Sequence, residues 1–159
     1  MNGVVTAGTR SVFRIERDTT VAAQKIYDRL ADAAAWNQWA PVFNRSDVVQ
    51  LGPIDPLGAG AIRRLRGLRG LLTIDEQILE ATRPSYQRYT ALRGLPAREY
   101  SAEVRIDELN GGTRLVWTGQ FKPRVPGTGW VLAKILAYSI GVVVNRLIAG
   151  CERAAVNGL

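Results

Sequence analysis

Residues 98–121 read REYSAEVRIDELNGGTRLVWTGQF, and the parity of this stretch decides the fold. In its first half Tyr100, Ala102, Val104 and Ile106 alternate with Ser101, Glu103, Arg105 and Asp107, the period-two pattern of a strand with one face turned inward. In its second half Leu115, Trp117, Gly119 and Phe121 take one side, while Arg114, Val116, Thr118 and Gln120 take the other. Asn110-Gly111-Gly112 between the halves is hairpin chemistry, so the stretch predicts two long antiparallel strands joined by a tight turn.

The same punctuation runs backward from there. Strands are predicted over 47–51, 61–66, 71–81, 86–93, 98–109 and 113–121, separated by Gly52-Pro53, Gly67 and Gly70, Arg83-Pro84 and Gly94-Leu95-Pro96. Connections this short favour an antiparallel meander. A first strand over 10–17 brings the number to seven. Asp18-Thr19-Thr20 then offers a cap for a helix over 21–33, whose Ala22, Ile26, Tyr27, Leu30 and Ala33 recur at helical spacing. Trp36 and Trp39, closed off by Pro41, make a second short helical element.

Forward of the hairpin, a long helix is predicted over 128–156 with Thr128 as its cap. Lys134, Gly141, Asn145 and Glu152 form one narrow stripe, and Leu132, Leu136, Val143 and Leu147 lie opposite. Ile135, Ile140, Val142 and Val144 widen the apolar face, so this helix must cover more than a flat sheet or also meet a partner. No repeat or linker divides the chain, so residues 1–159 read as a single domain with a flexible lead-in over 1–8.

Composition narrows the chemistry. With 159 residues, 47% of them hydrophobic and 22% charged, the chain has the usage of an ordinary globular domain. It has no histidine, one cysteine (Cys151) and one methionine (Met1). Histidine-based nucleophilic catalysis, the usual zinc sites, proximal-histidine haem and internal disulfides are thereby excluded. Any catalysis falls to Asp, Glu, Tyr, Arg, Lys or Ser, and no cofactor or metal is expected.

The formal charge is +7, with Lys25, Lys122 and Lys134 the only lysines among 21 basic residues. Arg63, Arg64, Arg66 and Arg69 form the densest run, with no carboxylate between Asp55 and Asp75. Nucleic acid or anionic lipid could contact it, or it is a solvated strand face and hairpin tip. The second reading is preferred because no interleaved aromatics accompany the charges, so no specific nucleic-acid partner is expected and at most a weak anionic-surface contact. The N-terminus lacks the charged start and apolar run of a secretory signal, which predicts a cytoplasmic protein. Between Lys134 and Asn145 only ten residues are uninterrupted, about 15 Å of helix against a hydrocarbon core of about 30 Å, so no transmembrane span is predicted.

One strand, a short helix pair, six meandering strands and a long terminal helix make an order that resembles the START and birch-pollen-allergen-like superfamily, also called SRPBCC. Ile26-Tyr27, Leu30-Ala31-Asp32 and Trp39-Ala40-Pro41 are similar to its opening pattern. Gly94-Leu95-Pro96-Ala97-Arg98-Glu99-Tyr100, Gly111-Gly112-Thr113-Arg114-Leu115-Val116-Trp117 and Pro126-Gly127-Thr128-Gly129-Trp130 resemble its bacterial polyketide cyclase/dehydrase-like branch. The resemblance implies an α+β helix-grip fold, in which a curved seven-stranded antiparallel sheet wraps a long C-terminal helix, with two short helices after strand 1. It also implies a cavity between sheet and helix that receives hydrophobic or amphipathic ligands.

Given such a cavity, Tyr100, Trp117 and Phe121 look into it with Tyr89, Trp36 and Trp39 close one end, and Trp130 and Leu136 approach from the terminal helix. These eight are the candidate ligand-binding residues, their alternative being ordinary core. Glu76 shares strand parity with Leu72, Ile74 and Ile78, so burial there would raise its pKa into a range useful for proton transfer. The alternative is that a bulge near Asp75 changes the parity or that an arginine pairs the carboxylate. Arg63 shares a face with Ala61 and Leu65 and is such a partner or an anchor for a ligand carboxylate or enolate. Glu76 and Arg63 are the candidate catalytic residues.

Three functions follow in order of preference. The first is binding or transport of a small lipid-like or polycyclic ligand. The second is aromatase/cyclase or dehydratase chemistry using Tyr, Arg and Glu. The third is a dimerising module that contacts an anionic surface, the chain itself being a monomer or homodimer.

Overall fold

Alternation of inward apolar and outward polar residues produces one antiparallel sheet in the computed structural model, which describes residues 2–7 and 10–158. The strands are β1 (Asn2–Ala7), β2 (Arg10–Thr19), β3 (Arg45–Gln50), β4 (Ile62–Gly67), β5 (Leu72–Thr82), β6 (Tyr86–Arg93), β7 (Ala97–Leu109) and β8 (Gly112–Pro123). Their order across the sheet is β1-β2-β8-β7-β6-β5-β4-β3. The helices are α1 (Ala23–Ala31), α2 (Trp36–Trp39) and α3 (Gly129–Asn157), and short 3-10 turns occupy Ala33–Ala35 and Leu68–Gly70.

All seven expected strands are present, and an eighth precedes them. Asn2–Ala7 pairs with β2 from Asn2 opposite Ile15 to Ala7 opposite Arg10, so the lead-in expected to be flexible over 1–8 is strand across residues 2–7. Val4, Val5 and Thr6 suit extended backbone, and β2 offers a free edge for them to pair with. Met1 and Gly8 lie outside the described residues.

The inward parity of the β7–β8 hairpin holds: Tyr100, Ala102, Val104 and Ile106, and across from them Leu115, Trp117 and Phe121, are all buried. Gly119 stands opposite Phe13, and a Cβ there would lie 2.2 Å from the Phe13 ring, so the glycine makes the space that the ring fills. The expected helix caps are not formed. Asp18 is held by Arg114, Thr19 Oγ1 accepts from the Val21 amide, and Thr128 donates its hydroxyl to the Val125 carbonyl. Tertiary and turn bonds have taken the side chains that would otherwise cap.

The α3 helix lies over β2, β1 and β8 and is braced by α1 and α2. Its second half is deeply packed through Val143, Val144, Leu147 and Cys151. There the Arg29 guanidinium of α1 crosses the helix at Gly150, where a Cβ would come within 2.6 Å of Nη2. Its first half is different: Ala133 and Ala137 face inward, Leu132, Leu136 and Ile140 are half-buried, and Trp130, Val131, Ile135 and Tyr138 are exposed.

Candidate functional site

The inward faces of β4, β5, β6, β7 and β8 bring one polar cluster into the core. Arg63 on β4 stands opposite Glu76 on β5, both buried, with Arg63 Nε donating to Glu76 Oε2 at 2.7 Å. Two aromatic rings lie against the guanidinium, Trp36 of α2 and Tyr89 of β6, both centroids 4.5 Å from Cζ. Aromatic stacking and a charge-assisted bond together compensate a cation that could not otherwise be buried.

Of the two alternatives weighed for Glu76, the arginine partner is realised and the change of parity is not, since Glu76 stays in the interior. A register shift does fall between Asp75 and Glu76, and an arginine does pair the carboxylate. Asp75 turns to the other side, where Arg64 and Arg93 grip it. Desolvation pushes the Glu76 carboxyl above its ordinary range, with the Arg63 charge pulling the other way.

Behind this pair, Trp117 Nε1 donates to the Tyr89 hydroxyl at 3.0 Å, and the Tyr100 ring lies beside that of Tyr89. Burial raises the pKa of both phenols, so they are neutral donors at any physiological pH. The rings touch one another: Tyr89–Tyr100 at 6.1 Å, Tyr89–Trp117 at 6.2 Å, Trp36–Trp117 at 6.3 Å and Trp36–Trp39 at 5.5 Å. Side chains expected to line a hollow therefore pack against each other here. The void that touches Arg63 measures about 10 Å³, room for one water.

Not all candidates converge. Trp36, Tyr89, Tyr100, Trp117, Arg63 and Glu76 form the cluster, and Phe121 is buried farther along β8. Trp39 is buried beside Trp36 and lies under the Arg29 guanidinium. Leu136 is half-buried, and Trp130 stands outside with the Lys134 ammonium 5.1 Å over its ring. The parity argument missed Gln87, which lies two residues before Tyr89 on the same inward face and is almost fully buried. Its amide nitrogen and oxygen have no hydrogen-bond partner, nor does Arg63 Nη2. Strand parity from Tyr89 was the signal that would have found it.

Unsatisfied polar atoms in a core are costly, which marks this interior as a place where a further polar group belongs. It can offer a guanidinium N–H, a carboxyl whose pKa burial raises and the Arg63 charge lowers, and an amide that both donates and accepts. Among the described residues no group of Cys, Asp or Glu is arranged to hold a metal ion.

A curved antiparallel sheet, short helices after its second strand and a long terminal helix across it define the helix-grip class. The chain belongs to the family described as "Polyketide cyclase / dehydrase and lipid transport", which matches residues 11–155. Among solved structures, it is similar to the Zhui aromatase/cyclase of a Streptomyces species, with TM-score 0.77 and 16% identity over 92% of this chain and 96% of that one. A START superfamily protein of Mycobacterium smegmatis gives TM-score 0.77 and 14% identity, covering 90% and 98%. At these identities the likeness is one of fold. Uncharacterized proteins of Mycobacterium bovis and Mycobacterium tuberculosis are 29% identical over 110 residues, or 67% of this chain. That match spans 63% of the length of those relatives.

Proposed function

We propose that this protein binds a small amphipathic molecule whose oxygen-bearing head enters the Arg63–Glu76 cluster. Family membership supports a ligand-binding or cyclase role in general. The observation that carries the finer reading is Arg63 Nη2, buried and without a partner beside an already neutralised carboxylate. Because Glu76 balances the charge of Arg63, a second full negative charge would be poorly compensated in this interior, and a neutral hydroxyl or carbonyl is the better guest. It would accept from Nη2 or Gln87. The apolar body would leave toward the groove of about 310 Å³ bordered by Pro96, Val125, Leu132 and Ile135, with the rings of the cluster separating to admit it.

Titration with naphthol and naphthoate tests the reading. Naphthol is expected to bind at least about tenfold more tightly than naphthoate, and the Arg63→Met/Glu76→Met double variant to lose naphthol. Removing both partners of a buried pair is often neutral for stability, whereas Arg63→Met alone should cost about 3–5 kcal/mol, so the double variant is the folded control. Undiminished naphthol binding by that variant overturns the site.

Acid–base chemistry on a carbonyl chain is a second reading, supported by the upward-shifted Glu76 carboxyl next to a guanidinium that could stabilise an enolate. On that reading Glu76→Gln keeps binding and abolishes turnover of a polyketone substrate.

A further inference from the structure

Strands β4, β6 and β8 all run toward one end of the sheet, so their turns form a single rim. Gly67 pairs with Leu72, Arg93 with Asp75 and Ala97 with Pro123, and the Arg124 amide bonds the Pro96 carbonyl across neighbouring turns. The rim is apolar in an unusual way. Leu68 and Leu71, at the tip of the β4–β5 hairpin, are 71% and 91% exposed. Leu68 and Arg69 hold left-handed backbone, with φ of 49° and 56°, a conformation that side chains other than glycine seldom adopt. Val125 follows on the next turns, and α3 begins there with Trp130 (54% exposed), Val131, Ile135 and Tyr138 (74% exposed) on its outer side.

The charges around these residues that lack an ion-pair partner among the described residues have one sign. Arg66, Arg69, Arg98, Arg124 and Lys134 have no carboxylate within ion-pair distance among the described residues. The acids on the strands leading to the rim are already committed: Asp75 to Arg64 and Arg93, and Glu99 to Arg10 and Lys122. A second copy of the chain would set cation against cation here. Nucleic acid would find leucines at the hairpin tip beside Arg66 and Arg69, where bases need flat rings. Leucines at a loop tip, a tryptophan at a helix start, a tyrosine farther along the same helix, and arginines around them suit the boundary between acyl chains and anionic headgroups.

We propose that this rim docks on an anionic lipid bilayer, with Leu68, Leu71 and Trp130 entering the interface and Arg66, Arg69 and Arg124 meeting lipid phosphates. This surface shares Val125 and Ile135 with the groove described above but none of the residues of the Arg63–Glu76 cluster, so either reading can fail without the other.

Flotation of the full chain with vesicles of equal parts phosphatidylglycerol and phosphatidylcholine, against phosphatidylcholine alone, is the test. Binding to the anionic vesicles is expected to be at least about tenfold stronger and to weaken as salt rises from about 0.1 M to 0.5 M. Leu68→Ser/Leu71→Ser should lower it by about tenfold or more with unchanged circular dichroism, since an exposed hairpin tip contributes nothing to the core. Arg69→Ser/Arg124→Ser should erase the preference for anionic lipid. Equal affinity for both vesicles, no binding to either, or full binding by the leucine variant overturns the proposal. So does light scattering that shows a dimer with Trp130 shielded, or an equally tight complex with an oligonucleotide.

Discussion

Asp75 and Glu76 are neighbours on β5 with opposite electrostatic fates. Asp75 accepts two hydrogen bonds from Arg64 and one from Arg93, and these hold its carboxyl down to about 2 from an ordinary 3.8. Its contribution to stability is therefore complete above the unfolded value and is lost as pH falls through about 2. Glu76 works the other way: burial favours its protonated form, so its contribution fades as pH rises through its raised pKa. Urea unfolding followed from pH 5 to pH 2 should show a steep loss in the parent chain. In Asp75→Asn the loss should be flatter by roughly 1–2 kcal/mol across that window. An unchanged slope would mean that Arg64 and Arg93 do not hold the carboxylate in solution. Which of two adjacent carboxyls lies inside was legible from strand parity. Which arginines meet them was not, because eighteen arginines are available and the pairing depends on the β4–β5 register and on a bulge that no residue type announces.

Two glycines separate close packing that is rigid from close packing that can yield. At Gly119 an added methyl would meet the Phe13 ring at 2.2 Å in the middle of the β2–β8 pairing, whereas at Gly150 it would meet the end of a long arginine side chain. Gly119→Ala is expected to cost about 1–3 kcal/mol in thermal or urea unfolding, the usual range for overfilling a packed core. Gly150→Ala should stay within about 1 kcal/mol as Arg29 swings aside. Comparable losses at both positions would contradict this account. The strands of the meander and the terminal helix were legible because alternation and helical spacing run through them without interruption. The first strand was not: its place depends on the free edge of β2, and residues 2–7 carry no alternation strong enough to declare a partner. Nor were the caps, since Asp18 and Thr128 have better partners nearby than the helix amides.

At the scale of the molecule, the aromatic cluster is packed around a buried ion pair, and a groove of about 310 Å³ lies at the rim. Aromatic side chains at inward positions announce an interior but not its emptiness, because the same rings fill space as readily as they line it. The sheet also ends in two unlike edges. β3 is short and irregular and bears Arg45 and Asp47, features that discourage pairing with another chain. At the other end β1 covers β2 and lies against α3. Removing residues 1–9 should leave a folded chain but lower its unfolding free energy by about 3–5 kcal/mol, at about 1 kcal/mol net for each lost ladder bond. Hydrogen exchange should then find the β2 amides that face β1 newly labile. Protection equal to that of the full chain would show that β1 does not hold in solution.

The neighbour of β2 on its other side is β8, so the second strand to be synthesised is completed by the last. Until residue 123 clears the ribosome, the opening hairpin has one ladder of amides with nothing to bond. At translation speeds of about 5–20 residues per second that interval is on the order of ten seconds, long beside the collapse of a chain this size. During it the Arg10–Thr19 segment presents an open edge to any other strand that meets it.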